Sequence, residues 1–197
     1  MFEELPMPRS PWKVLAAMAV AASLIPLTFA QTSPAGRDLR TGWVLLREGE
    51  AQGTIEQDAR HPTHDAPHLL RLSVTKTAGP GAGRVGAVND AHLEVHEGAW
   101  YDITFTAATE RGSIGLVFSL ESADGKVLAR TTLPEIGRGR GRGRGGPPAT
   151  APAAWTPYLV SLHARAAAPS ARLVITPIEP TNVWLDGITF TPRQHAP

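Results

Sequence analysis

Two groups of polar side chains have the types and spacing that chemistry requires. The run His61-Pro-Thr-His64-Asp65-Ala-Pro-His68 carries the imidazole and carboxylate donors that zinc or a similar ion takes. Its two prolines break any helical face, so the spacing does not preorganise a site and the segment reads as a solvated loop. Glu94, Glu97 and Asp102 lie close together in sequence. Glycoside hydrolysis needs two carboxylates about 5 to 9.5 Å apart, one as acid and one as base or nucleophile. Exposed acids on strands are common, so these three are a catalytic pair only where a fold brings them to one cleft. The sequence has no Gly-x-Ser-x-Gly elbow, no phosphate-cradling glycine loop and no His-Glu-x-x-His motif. It has no cysteine, which excludes disulfides, thiolate metal sites and a cysteine nucleophile.

Aromatic rings offer a different chemistry, because sugar faces stack on indole and phenol rings. The candidates are Trp43, Trp100, Tyr101, Trp155, Tyr158 and Trp184. Tyr101 and Tyr158 have apolar residues two positions on, Ile103 and Val160, which places them in a core. Trp43 and Trp184 fall near the two ends of the domain and are expected to pack together. Trp100, beside Gly98 at a strand entrance, is the best-placed exposed ring. The Arg-Gly repeat from Gly137 leads into a proline-rich stretch ending at Pro152. Alternating guanidinium groups suit a polyanion, but the tract has no interleaved aromatics. It reads as a flexible low-complexity loop over 137–152 between two strands, and no nucleic-acid partner is expected.

The elements that position these residues are strands. The chain of 197 residues suits one ordinary domain, and its 19 Gly and 18 Pro favour short strands and many turns. A net charge of +1 creates no strong field toward nucleic acid or an anionic membrane. Residues 1–30 read as a signal peptide: Arg9 and Lys13 precede the apolar run from Val14 to Ala30, with cleavage expected after Ala30. Pro26 and the polar residues that follow argue against a membrane anchor, so the expected location is secreted or periplasmic, with no membrane contact after cleavage. A linker is expected at 31–40, a β domain at 41–192 and a tail at 193–197.

Within that domain, short apolar runs with period-two alternation are separated by Gly, Pro, Asp or Asn, the pattern of antiparallel sheet. Strands are expected at Gly42 to Arg47, Gly53 to Gln57, Leu69 to Val74, Val85 to Asn89, His92 to Val95, Tyr101 to Ala107, Ile114 to Glu121, Val127 to Leu133, Thr156 to His163, Ala171 to Thr176 and Asn182 to Thr191. In the seventh of these, Ile114, Leu116, Phe118 and Leu120 should meet a core, with Gly115, Ser119 and Glu121 toward water. The Asp124-Gly125 pair after it accepts the positive φ values of a tight hairpin.

In order and spacing, Gly42-Trp43, Pro67 to Val74, Val88-Asn89-Asp90, Val95 to Ala107, Val117 to Ala129, Trp155-Thr-Pro-Tyr158, Ala171 to Ile175 and Val183 to Phe190 resemble the galactose-binding-like jelly roll of CenC-type carbohydrate-binding modules. The similarity is particularly to the module at the front of bacterial α-L-arabinofuranosidases, and it covers about residues 41 to 192. It implies an all-β, two-sheet antiparallel sandwich that binds polysaccharide and catalyses nothing, since the catalytic barrel of those relatives has no counterpart here. On this reading Trp100, His92, Asn89 and Asp102 form the sugar-contact patch. A structural calcium is implied too, with Asp186 on the last strand as ligand and Glu48 or Glu50 as partners. A monomer is expected. The other class of reading is a cell-envelope interaction or structural sandwich that has lost the sugar site.

Overall fold

The computed structural model describes residues 36–60, 69–77, 83–110, 113–136 and 155–193. The expected signal peptide, the His61–His68 run and the Arg-Gly tract lie outside them. Eleven strands occur among the described residues: β1 Arg37–Asp38, β2 Trp43–Arg47, β3 Gln52–Gln57, β4 Leu70–Lys76, β5 Val85–Val95, β6 Trp100–Thr109, β7 Ile114–Ser122, β8 Val127–Ile136, β9 Thr156–His163, β10 Ala168–Pro177 and β11 Thr181–Pro192. They form two antiparallel sheets. The first has the order β3-β4-β11-β6-β9, with β1 added beside the second half of β11, and the second has the order β2-β5-β10-β7-β8. The molecule is an all-β jelly-roll sandwich: its antiparallel sheets are those the alternating pattern predicts, and its architecture is the one the family resemblance implies.

Alternation decides what each sheet turns inward. Tyr101, Ile103, Phe105 and Ala107 of β6 share one core with Leu116, Phe118 and Leu120 of β7 and Leu173 and Ile175 of β10. Phe105 meets Phe118 across the sandwich with ring centroids 5.1 Å apart, and Tyr101 stacks on Phe190 at 4.9 Å. Each such side chain contributes roughly 1.5 to 3 kcal/mol by leaving water. The Tyr101 hydroxyl is satisfied by the backbone N–H of His96 at 2.8 Å.

Four features depart from the sequence reading. Arg37 and Asp38, inside the expected linker, pair with Phe190 and Thr189, and Leu39 beyond them is buried. The two short strands expected on either side of Asp90 are one strand, β5, which continues through an irregularity at His92 with φ of 50°. Trp43 and Trp184 do not pack together. Trp43 lies in the central core and donates to the Leu39 carbonyl at 2.7 Å, whereas Trp184 belongs to a separate cluster with Ala59, Leu69 and Trp155. Finally, β7 has no water-facing side, since every residue from Ile114 to Glu121 is buried. The β7–β8 hairpin forms as expected, with Gly125 at φ of 84°.

Candidate functional site

The outer face of the first sheet gathers polar side chains that no single strand reveals. β6 lies between β9 and β11, and its outward positions are Trp100, Asp102, Thr104 and Thr106. Register sets His163 beside Trp100, Ser161 and Thr191 on either side of Asp102, and Thr189 beside Thr104. Trp100 is 37% exposed and stacks on His163 with centroids 4.7 Å apart. Arg193, just past β11, donates its backbone N–H to the Trp100 carbonyl at 2.8 Å and carries its guanidinium over the indole, 5.7 Å from the ring centre. The two flanking strands thus bring a group to each side of the indole.

Asp102 organises this cluster. Arg193 donates to both its oxygens at 2.6 and 3.1 Å, and the Ser161 hydroxyl donates at 2.6 Å. Burial pushes the carboxyl upward, but the hydrogen bonds from Arg193 and Ser161 and the charge of Arg193 together outweigh it, so Asp102 titrates below its ordinary value. It is an ionised acceptor, the opposite of the raised carboxyl a general acid requires. Below it, the hydroxyls of Thr104 and Thr189 bond at 2.6 Å, continuing a polar strip down the face.

The outer face of the second sheet is built on buried charge. Glu121 of β7 is buried and accepts from Arg84, which precedes β5, through both oxygens, the Arg84 Nη2 contact being 2.9 Å. Arg84 also grips Glu48 at 2.9 and 3.1 Å, Ser119 donates to Glu121 at 2.8 Å, and Arg172 approaches Glu121 to 3.7 Å. Since β10 runs between β5 and β7, the Arg84–Glu121 bridge crosses over it, where Val88 and Val174 are buried although their positions alternate away from the core. Hydrogen bonds from Glu121 and then Glu48 raise the Arg84 value. Burial raises that of Glu121, but the bonds from Arg84 and Ser119 and the two guanidinium charges prevail and lower it.

The expected contact patch is therefore divided. Trp100 and Asp102 are together on the first sheet, while Asn89 and His92 lie on β5 of the second. Asn89 is buried and its amide donates to the Thr41 carbonyl at 2.7 Å, which pins the turn into β2. His92 is exposed at its irregular backbone position, with Nδ1 2.8 Å from the Ser170 hydroxyl. A cavity of about 220 Å³ opens beside it.

The carboxylates expected to hold calcium are not brought together. Glu48 is held by Arg84, Glu50 pairs with Lys76 at 2.8 Å, and Asp186 lies on the first sheet, where it accepts from the backbone N–H of Gly187. Among the described residues no group of three or more His, Cys, Asp or Glu could hold a metal ion. Glu94, Glu97 and Asp102 do not share a cleft either, because Glu94 is exposed on β5 beside His96 and Asp102 is on the other sheet. Ser161, His163 and Arg193 escaped the sequence reading. Alternation in β9 puts Ser161 and His163 on one face, but only the pairing of β9 with β6 brings that face to Trp100.

No protein-family model and no curated protein matches the chain. Solved structures share its fold at low sequence identity. An arabinose-bound GH51 α-L-arabinofuranosidase superposes with a TM-score of 0.56 and 20% identity, over 79% of this chain and 24% of that one. A CBM4 structure superposes with a TM-score of 0.51 and 10% identity, over 77% of this chain and 86% of that one. The chain thus spans about a quarter of the arabinofuranosidase and has the jelly-roll fold of carbohydrate-binding modules.

Proposed function

We propose that this protein is an exported module that binds polysaccharide and leaves it chemically unchanged. The observation that carries the reading is the exposed cluster of Trp100, His163, Arg193, Asp102 and Ser161. An aromatic edge beside ionised and hydroxyl hydrogen-bonding groups, fixed before any ligand arrives, suits a surface dense in both C–H and O–H groups. Sharing a fold with carbohydrate-binding modules is consistent with this but does not by itself assign a function. The residues at 1–30 support export, and the ionised, arginine-bound Asp102 supports binding over acid catalysis.

The test is retention of the protein by a panel of soluble and insoluble plant and bacterial polysaccharides, with and without a calcium chelator. Saturable binding to one glycan class is expected. Trp100→Ala should weaken it about tenfold or more, as removal of a central aromatic anchor does. Chelation should leave affinity unchanged, because Glu48 and Glu50 are already neutralised by Arg84 and Lys76. A second reading, a protein-interaction domain of the cell envelope, is favoured by the engagement of the indole from both sides. Folded protein retained by no polysaccharide would select that reading.

A further inference from the structure

On the second sheet a backbone irregularity and a cavity coincide. His92 adopts φ of 50° within β5, and directly opposite it β10 shifts register between Ala168 and Ala171 and again between Ala171 and Leu173. Paired irregularities of this kind bend strands and re-aim side chains. They leave a hollow of about 220 Å³ lined by Asp90, His92, Ala123, Ser170, Ala171 and Arg172. We propose that this hollow binds one neutral sugar residue at the end of a glycan chain, as a site separate from the Trp100 face. The ligand class rests on the carbohydrate-binding reading; the site does not depend on Trp100.

Size, chemistry and charge point the same way. The hollow is smaller than the roughly 300 to 1,000 Å³ of sites for drug-sized ligands, so it has room for one ring and not for a chain. Asp90 supplies acceptors, the Ser170 hydroxyl both donates and accepts, and the imidazole of His92 is held against that hydroxyl. Arg172 supplies donors, and its Nε is buried with no hydrogen-bond partner among the described residues. Sugar hydroxyls, each donor and acceptor at once, match such a mixture. Ala123 and Ala171 keep the walls small. The fixed charges nearby, Arg84, Arg172 and Arg37, whose Nη1 lies 3.5 Å from the His92 carbonyl, are balanced by Glu48, Glu121 and Asp90, which gives an anion such as a uronate or phosphate no net attraction. Toward the middle of the face the Arg84–Glu121 bridge crosses β10 and bars a chain from running on, so the residue that enters is terminal.

The test is titration of the full chain, followed by ¹H–¹⁵N NMR, with the methyl glycosides of glucose, galactose, xylose and arabinofuranose. At least one should give saturable shifts confined to the surroundings of His92 and Ser170, with a dissociation constant on the order of 1 mM. Ser170→Ala, which leaves the ion network intact, and Arg172→Gln should each weaken that binding about tenfold, a loss of about 1.4 kcal/mol. Trp100→Ala should leave it unaltered. Silence of all four glycosides at His92, in a protein that still binds polysaccharide through Trp100, would overturn the pocket and spare the proposed function. Glycoside binding at His92 with polysaccharide retention unaffected by Trp100→Ala would uphold the pocket and remove the first-sheet site. Preferential shifts with sodium glucuronate or inorganic phosphate would overturn the neutral-sugar assignment.

Discussion

Glu121 sits where a carboxylate is costly, on a central strand with its side chain fully removed from water. Two guanidinium groups and a serine hydroxyl offset that cost, and they set a pH dependence. Because the carboxyl titrates below the ordinary 4.5 in the folded protein, the unfolded chain takes up the proton first as pH falls. The stabilisation is therefore complete above about 4.5 and is lost as pH drops toward the depressed folded value. Glu121→Gln keeps the shape and removes the charge. Breaking a buried pair costs roughly 3 to 5 kcal/mol, but Arg84 is 28% exposed and retains Glu48, so about 2 kcal/mol is expected at neutral pH. Urea denaturation should show this gap at pH 7 and its closure at the acid end, where the wild-type carboxyl is itself protonated. A gap independent of pH would mean the network contributes packing and not charge.

At the scale of the strand, Gly86 shows how closely β5 approaches β10. A Cβ on Gly86 would lie 2.4 Å from the Ile175 carbonyl and 2.9 Å from the Thr176 hydroxyl, so the backbone of β10 would have to move. Gly86→Ala should cost about 2 kcal/mol, within the range for overpacking, and should shift NMR signals along β10 toward Arg172. Unchanged stability would mean the two strands separate freely. This strand also marks the limit of what the sequence discloses. The alternation of Val85, Ala87, Leu93 and Val95 is legible and stays in one phase throughout, but the polar pair Asn89-Asp90 between them reads as a break between two strands. That the interruption is an irregularity within one continuous strand follows from pairing with β10, which no local pattern encodes. The burial of Ser119 and Glu121 is hidden for the same reason: Arg84, which caps Glu121, comes from the residue just before a strand two places away in the sheet. Trp100 and Asp102 lie together because both belong to β6, which begins one residue before the expected strand, whereas Ser161, His163 and Arg193 join them only across strands.

For the whole molecule, the question is what keeps two open sheets from adding strands from a second copy. Among the described residues the edges are β3, β9 and the two-residue β1 in the first sheet and β2 and β8 in the second. β8 carries Pro134 and β9 carries Pro157, each removing a backbone donor from an edge that would otherwise be a template for pairing. β2 is only 5 residues long and ends in Arg47, and β3 carries exposed Glu56 paired with Arg71 on β4 at 3.7 Å. Each edge is thus short, charged or interrupted, the devices by which sandwiches stay apart. Leu159 is 57% exposed beside Thr104 on the outer face of β9, a single apolar side chain and not a patch. The protein should therefore sediment as a monomer across the micromolar range. Pro157→Val and Pro134→Val together should restore edge donors and produce concentration-dependent dimers or larger species in analytical ultracentrifugation. A wild-type dimer that persists on dilution would show that an outer face, and not an edge, carries self-association, and the Trp100 cluster would be the first surface to test for it.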